Sequence, residues 1–521
     1  MEICGLLQSG RGRVSKEVLR GWIGLAQTAQ NRDQVTVEQE SNTKKKPWSK
    51  TKIVVTVVVC LLVALGGFAI YVFSSDLPAQ TFTAVTVGDH KLTAAQYSYY
   101  FSVSYNDFLL ENEDKLSAYG LDTSKTLAEQ KISDEMTWED YFKNKAMTNI
   151  VSTYATYDEA VKNGVTLSEE DQKSIDAYLS SIEENAKANN ARLSSYLYAQ
   201  FGKGVTLDVV RGEVERQRLS RKYQQQLTES YTFTETQMLD EYNKNKDSLD
   251  MITYYSFFVP IDNAGDPTQS AQEERQKAEE MCAAVTDAQS FAALAREYAQ
   301  DGEKEAYADD DATRKVEYLD KLTVSAAKTW LQDASRLPGD KTVLDGLDGY
   351  YVMYYENRER PETKTVNVRQ ILLTPEGNVS EETGMTQEQK DAVLQKAEDI
   401  LKEYQSGEQT ESAFGALAAK YSADTGTAAN GGLYENIYQY QQSKNLNDWC
   451  FDASRKPGDT GIVLSDKGAH LLYFVRDGEP MWRIQVRTSL TAVKISAYQE
   501  ELYAKYPYEE NALGMQYFVS I

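Results

Sequence analysis

The chain has 521 residues, with 55 Lys/Arg against 79 Asp/Glu and a formal net charge of −24, a length that allows about two to four domains. Residues 1–52 carry ten Lys/Arg and five Asp/Glu, so everything beyond them carries −29; a body that acidic repels phosphate and excludes a nucleic-acid grip. The chain has two histidines, His90 and His470, so multi-histidine metal sites are excluded, and neither a metal nor a cofactor is expected.

In chain order, residues 1–52 read as a cytoplasmic segment and residues 53–74 as a transmembrane helix. Ile53 to Phe73 are 21 consecutive uncharged residues, which at about 1.5 Å each cover the roughly 30 Å of a bilayer's hydrocarbon core. Lys44, Lys45, Lys46, Lys50 and Lys52 precede the run and Asp76 follows it, which predicts a single-pass cell-membrane protein with its bulk outside the cytoplasm. A cleaved signal peptide is the rival reading, although its apolar stretch is normally about 7–15 residues. The outer part holds only Cys282 and Cys450, so packing rather than a disulfide framework must stabilise it.

Residues 76–250 read as a mostly helical domain. Thr83–Thr93 alternates like a strand and turn feeding a helix from Ala94, and His90 sits in that turn as a solvated residue. Ser168-Glu-Glu-Asp171 and Thr234-Glu-Thr-Gln237 have the form of capping boxes that open amphipathic helices. Beyond residue 250 the pattern changes to strand, helices, strands, and does so twice. Trp330–Asp340 (WLQDASRLPGD) matches Trp449–Asp459 (WCFDASRKPGD) at eight of eleven positions. Tyr255–Val259 answers Arg369–Leu373, Phe291–Tyr298 answers Phe414–Tyr421, and Gly349–Tyr354 answers Gly468–Tyr473. Two copies of one domain, 251–360 and 364–478, follow from this spacing. Each runs β-α-α-β-α-β-β, so the fold class is α+β with mostly antiparallel sheets. The aromatic-rich segment 480–521 belongs to neither copy and is expected to pack back on the helical domain.

The second copy resembles a parvulin-type peptidyl-prolyl isomerase domain. The resemblance is carried by Ile371-Leu372-Leu373, then Phe414…Leu417-Ala418-x-x-Tyr421-Ser422-x-Asp424…Asn430-Gly431-Gly432-Leu433, Pro457-Gly458-Asp459 and Gly468-Ala469-His470-Leu471-Leu472. The region before it, with Val85–Thr93 and its helices, is similar to the chaperone module of extracytoplasmic foldases of the PrsA/SurA type. The resemblance implies rotation of an X–Pro amide past a barrier of about 18–20 kcal/mol, with no bond broken. A protein lowers that barrier by desolvating the amide, seating the proline ring in an apolar cup and hydrogen-bonding the twisted amide.

Carried over position by position, the family's network of two histidines and a Cys or Asp falls on Gln370, His470 and Asp424. Gln370 departs from the histidine pattern, although its amide can still donate and accept. Leu372, Trp449, Phe451, Gly431 and Gly432 are the candidates for substrate contact. Trp449 and Phe451 either line the cup or fill the core, Asp424 either joins the site or caps a turn before Gly426, and the two glycines answer a backbone requirement. The first copy carries Ser256 and Tyr351 at the histidine positions and no Gly-Gly after Asp301, and reads as a packing or client-binding module. The function expected is a membrane-anchored foldase for unfolded, proline-containing secreted polypeptides; the alternative is a non-catalytic holdase.

Overall fold

In the computed structural model the described residues are 75–521, apart from 262–266, 310, 323, 380–383 and 521. The chain divides into two compact units, Met1–Pro78 and Ala79–Ile521. Among the described residues no helix is long and apolar enough to cross a membrane, and the span 53–74 on which a membrane helix was expected lies outside them. The expected architecture is corrected in that respect: what stands is a mixed helix-and-sheet body.

That body opens with strands β1 (Thr83–Val87) and β2 (His90–Thr93) and helices α1 (Ala94–Glu111), α2 (Trp138–Lys162), α3 (Glu169–Ala188), α4 (Leu193–Phe201), α5 (Leu207–Ser230) and α6 (Glu235–Lys244); a two-stranded ribbon, β3 (Lys131–Ser133) and β4 (Met136–Thr137), lies between α1 and α2. Capping boxes start α1 at Thr93, α2 at Thr137, α3 at Ser168 and α6 at Thr234; in each the side chain satisfies an amide that the first helical turn leaves open. Tyr97, Tyr100, Phe101, Phe142 and Ile150 form the centre of its apolar core.

The C-terminal segment completes this module. Helix α13 (Met481–Tyr503) runs back along it, and β13 (Tyr508–Glu510) pairs antiparallel with β1, Val85 opposite Glu510. Phe518 then wedges between Tyr97 and Phe101, its ring centroid 5.0 Å from each. His90 is not a free turn residue: its Nε2 lies 2.9 Å from both carboxylate oxygens of Asp158 on α2, and the hydroxyl of Tyr506 donates to the same carboxylate.

Between these two contributions lie two sheets of one design. The first contains β5 (Met251–Pro260), helices α7 (Pro267–Ala284) and α8 (Ala288–Tyr298), β6 (Arg314–Tyr318), α9 (Ser325–Gln332), β7 (Lys341–Asp345) and β8 (Gly349–Glu359). The second contains β9 (Lys364–Leu373), α10 (Gln387–Ser406), α11 (Glu411–Tyr421), β10 (Leu433–Ile437), α12 (Lys444–Cys450), β11 (Thr460–Ser465) and β12 (Gly468–Pro480). The strand orders are β6-β5-β8-β7 and β10-β9-β12-β11, antiparallel throughout. Even the register repeats: Phe258 faces Tyr351 in the first sheet where Leu372 faces His470 in the second.

The repeated Trp…Arg…Pro-Gly-Asp block owes its persistence to packing. In each copy the arginine stacks on the tryptophan six residues back, Arg336 on Trp330 at 4.4 Å and Arg455 on Trp449 at 4.2 Å, and donates through Nε to that tryptophan's carbonyl. The Asp340 and Asp459 carboxylates accept the Leu337 and Lys456 amides. The backbone of each Gly-Asp pair then joins the last strand, Gly339 and Asp340 to Tyr355, Gly458 and Asp459 to Phe474. The block is a latch between α9 or α12 and the sheet, and both copies have it.

Candidate functional site

Residues alternate between the faces of β9. Ile371 and Leu373 point to α10 and α11 and join Phe414, Ala418 and Leu471 in a closed core. Val366, Val368, Gln370 and Leu372 therefore occupy the opposite face, as do His470, Leu472 and Phe474 of β12. On this face His470, 3% exposed, stands directly across from Leu372.

Both imidazole nitrogens of His470 are engaged. Nδ1 lies 2.8 Å from Gln370 Oε1 and Nε2 lies 2.7 Å from Ser465 Oγ. A glutamine oxygen can only accept, so in this orientation Nδ1 carries the proton and Nε2 accepts the Ser465 hydroxyl. Ser465 is held for that task by the hairpin turn, where its oxygen accepts the Lys467 amide at 3.1 Å. Burial, reinforced by Lys467, pushes the His470 pKa below the ordinary imidazole value, against weaker opposing fields from Asp466 and Asp424. His470 is thus a neutral imidazole fixed in one tautomer.

Asp424 lies on the turn that follows α11, and that turn is tied to β9 beside the histidine. Ala423 N–H donates to the Leu372 carbonyl at 2.8 Å, and Ser422 Oγ accepts the Leu372 amide at 3.1 Å. The Asp424 carboxylate is taken up locally. Oδ1 accepts the Gly426 amide at 3.2 Å, and Oδ2 accepts the hydroxyls of Thr427 at 2.5 Å and Tyr434 at 2.7 Å. Partial burial raises its pKa, but these donors outweigh burial and leave it below the usual carboxylate value. The structure joins Gln370 to His470 directly; Asp424 reaches the histidine through its field and caps the short helix Thr425–Ala428.

The remaining candidates divide by role. Gly431 and Gly432 have φ of +65° and +71°. A Cβ on Gly431 would stand 2.7 Å from Arg369 Nη1, and one on Gly432 would overlap the Gln370 carbonyl oxygen. The close approach lets Gln370 N–H reach the Gly432 carbonyl at 2.8 Å, so the pair holds β10 against the site strand. Trp449 and Phe451 pack against Val366, Val368, Ile437, Cys450 and Phe474, and Trp449 also covers Leu446, Val463 and Leu472; both fill the core beside the site rather than line an open cup. Leu372 remains half-buried.

Ser465 and Tyr434 are the residues that sequence reasoning missed. Serine in a hairpin has no distinguishing signal of its own; only the β11–β12 register, which sets Val463 opposite His470, brings Ser465 under the ring. Tyr434 follows the glycine pair by two residues, and burial together with Asp424 pushes its phenol up to about 12.

The first copy holds Ser256 and Tyr351 at the positions of Gln370 and His470. Tyr351 packs against Phe258 with centroids 4.7 Å apart and the rings tilted by 46°, and Asp301 lies in solvent beside Lys304. A hollow of about 480 Å³ lies in this copy, lined by Phe257, Phe258, Val259, Pro260, Ile261 and Tyr298 among others, away from the Gln370–His470 pair. Among the described residues no cluster of His, Cys, Asp or Glu could hold a metal ion.

Residues 350–476 match the family model of the PPIC-type PPIASE domain, so the chain carries a peptidyl-prolyl isomerase domain of the parvulin type. The match begins within β8 and ends within β12, taking in the second sheet but for the last residues of β12; it leaves most of the first copy outside. Among solved structures the chain is similar to the peptidylprolyl isomerase PrsA of Bacillus cereus, 13% identical over 58% of this chain and 86% of that chain with a TM-score of 0.18. It is also similar to PrsA of Bacillus subtilis, 15% identical over 44% and 77% with a TM-score of 0.15. A third is the foldase protein PrsA of Streptococcus pneumoniae, 14% identical over 44% and 79% with a TM-score of 0.17. Superpositions this loose carry no argument about the site. No curated protein matches the chain.

Proposed function

We propose that the protein is a foldase that binds unfolded, proline-containing polypeptides outside the cytoplasm and speeds cis–trans isomerisation of their X–Pro bonds through residues 364–478. The observation that carries this reading is the Ser465–His470–Gln370 hydrogen-bond chain on the face of the β9–β12 pair opposite α10 and α11, within a parvulin-type domain.

Rotation of a prolyl amide turns a planar, resonance-stabilised bond into a twisted one whose nitrogen is more basic and whose carbonyl is less so. Acceleration requires contacts stronger to the twisted form than to either planar form. With its oxygen engaged by His470, Gln370 keeps its amide N–H groups as donors. A neutral, hydrogen-bonded His470 holds that glutamine in place without setting a charge beside the apolar ring. Leu372 and its neighbours supply the apolar contact, and a less hydrated amide rotates more readily.

The test is the rate of cis–trans exchange of a short proline peptide with the full chain. Acceleration that His470→Ala abolishes supports the reading, and an unchanged rate with the unmodified chain removes it. The holdase reading is favoured by one feature, that Trp449 and Phe451 are committed to the core. It predicts that suppression of client aggregation survives His470→Ala intact while no isomerisation is seen in either form. The first copy's likeness to a second parvulin domain rests on shared strand order and register, and its part in the proposal is to hold and present client segments.

A further inference from the structure

β6 is one of the two outer strands of the first sheet and β10 one of the two of the second. An outer strand presents unpaired backbone groups and is normally covered. Here the loop that leaves β10, residues 438–443, lies over β6. The Tyr438 ring meets the Tyr318 ring edge-on, centroids 5.1 Å apart at 73°. Two residues further on, Tyr440 stands near Arg314 of the same strand, where against the opposing effect of burial it helps to raise that guanidinium's pKa. Left-handed backbone occurs once near the end of β10, at Asn436 with φ +57°, and once in the loop, at Tyr440 with φ +69°. Each bend is held by a buried asparagine: Asn367 Oδ1 accepts the Asn436 amide at 2.9 Å, and Asn447 Oδ1 accepts the Tyr440 amide at 2.6 Å. Non-glycine residues persist in that conformation only where the surroundings fix them.

The strand that this contact anchors carries Tyr434, the donor to Asp424 Oδ2. We propose that Tyr318 and Tyr438 are positioning residues: the first copy buttresses β10, and through it the Tyr434–Asp424 pair, so that the copy without the histidine and glutamine sets the geometry of the copy that has them. The inference rests on the proposed prolyl-isomerase reading for its functional consequence, and on the ring contact alone for its structural one. Tyr318 is 2% exposed and its hydroxyl has no hydrogen-bond partner among the described residues, so the ring, not the phenol, makes the contact.

The test uses the full chain and two readouts, amide exchange of residues 433–437 by mass spectrometry and isomerisation of a proline peptide. Tyr438→Ala, which leaves the first copy's core untouched, is expected to speed exchange over 433–437 by about 2- to 12-fold, the range of one aromatic pair, and Tyr318→Ala to do the same. Tyr318→Phe keeps the ring and is expected to change neither readout. Isomerisation should fall as exchange over 433–437 quickens, and Tyr434→Phe should cost less in the Tyr438→Ala background than alone, because both changes act through one pair. Unchanged exchange over 433–437 in Tyr438→Ala, or Tyr318→Phe as damaging as Tyr318→Ala, would overturn the inference. If the unmodified chain shows no isomerisation, the functional reading fails, and the exchange experiment still decides the buttress.

Discussion

Replacing Gln370 by leucine removes the acceptor from a buried histidine and keeps the side-chain volume near that of glutamine. His470 is 3% exposed, and Gln370 Oε1 is its only partner at Nδ1 among the described residues. Leucine therefore leaves an N–H donor with neither water nor protein to accept it. Stranding a buried donor costs about 1–3 kcal/mol, whereas removing both partners of a buried bond can be nearly neutral. Gln370→Leu should thus destabilise the β9–β12 pair by about that amount, and adding His470→Leu should recover much of it. A chain built of several modules need not unfold in one step, so the assay is local: amide exchange of residues 466–475, faster by about 5- to 150-fold in the single variant at about 1.4 kcal/mol per tenfold. Equal protection in Gln370→Leu and the unmodified chain, or a double variant worse than the sum of the singles, would refute the assignment of that bond.

Four further outcomes follow from the same structure. His470 has its pKa held down by burial, so the unfolded chain binds that proton more readily; its contribution to stability is complete above about pH 6.5, the unfolded value, and is lost as pH falls through the lower folded pKa, which an NMR titration of the imidazole and the pH dependence of exchange in β12 would show. Asp424 is lowered as well, so its contribution is complete above about pH 4 and lost only in stronger acid, which separates the two groups in one titration. Arg358 donates from Nε to Asp250, fully buried, at 2.8 Å; Arg358→Ala leaves that carboxylate with the Tyr242 hydroxyl and the more distant Lys246 ammonium and should cost about 1–3 kcal/mol in exchange-measured stability around β5 and β8, while unchanged exchange there would contradict the pairing. Gly432→Ala places a methyl on the Gln370 carbonyl at φ +71°, and is expected to detach β10 and expose its amides.

Local signals carried much of the fold. The sequence pattern Thr386-Gln-Glu-Gln389 opens α10 with both arms of its capping box in place, because a cap depends on four consecutive residues alone. The repeat of Trp330–Asp340 in Trp449–Asp459 was legible because the latch that it forms is also local, spanning one helix end and one turn. What the sequence hid depends on pairings across distance. Nothing in Tyr508–Glu510, whose side chains are exposed, announces a strand, and it becomes one only because β1 offers a free edge. His90 reads as a turn residue until α2 brings Asp158 beneath it, 68 positions along the chain. In the site, Gln370 and His470 could be placed by motif spacing, and they do meet. Asp424 was harder: its carboxylate is taken by Thr427 and Tyr434, and whether a polar side chain caps its own turn or reaches across a sheet is decided by neighbours that spacing does not name. The core role of Trp449 and Phe451 was likewise settled by the face on which α12 packs.

The central claim is that the second sheet turns prolyl bonds in chains that are not yet folded. Its most direct test is the slow, proline-limited refolding phase of a small client protein, followed with the full chain present at substoichiometric concentration. Acceleration of that phase by the unmodified chain and its disappearance with His470→Ala is the result predicted. A slow phase that keeps its rate while aggregation of the client is suppressed would contradict the claim and leave a chaperone that only binds.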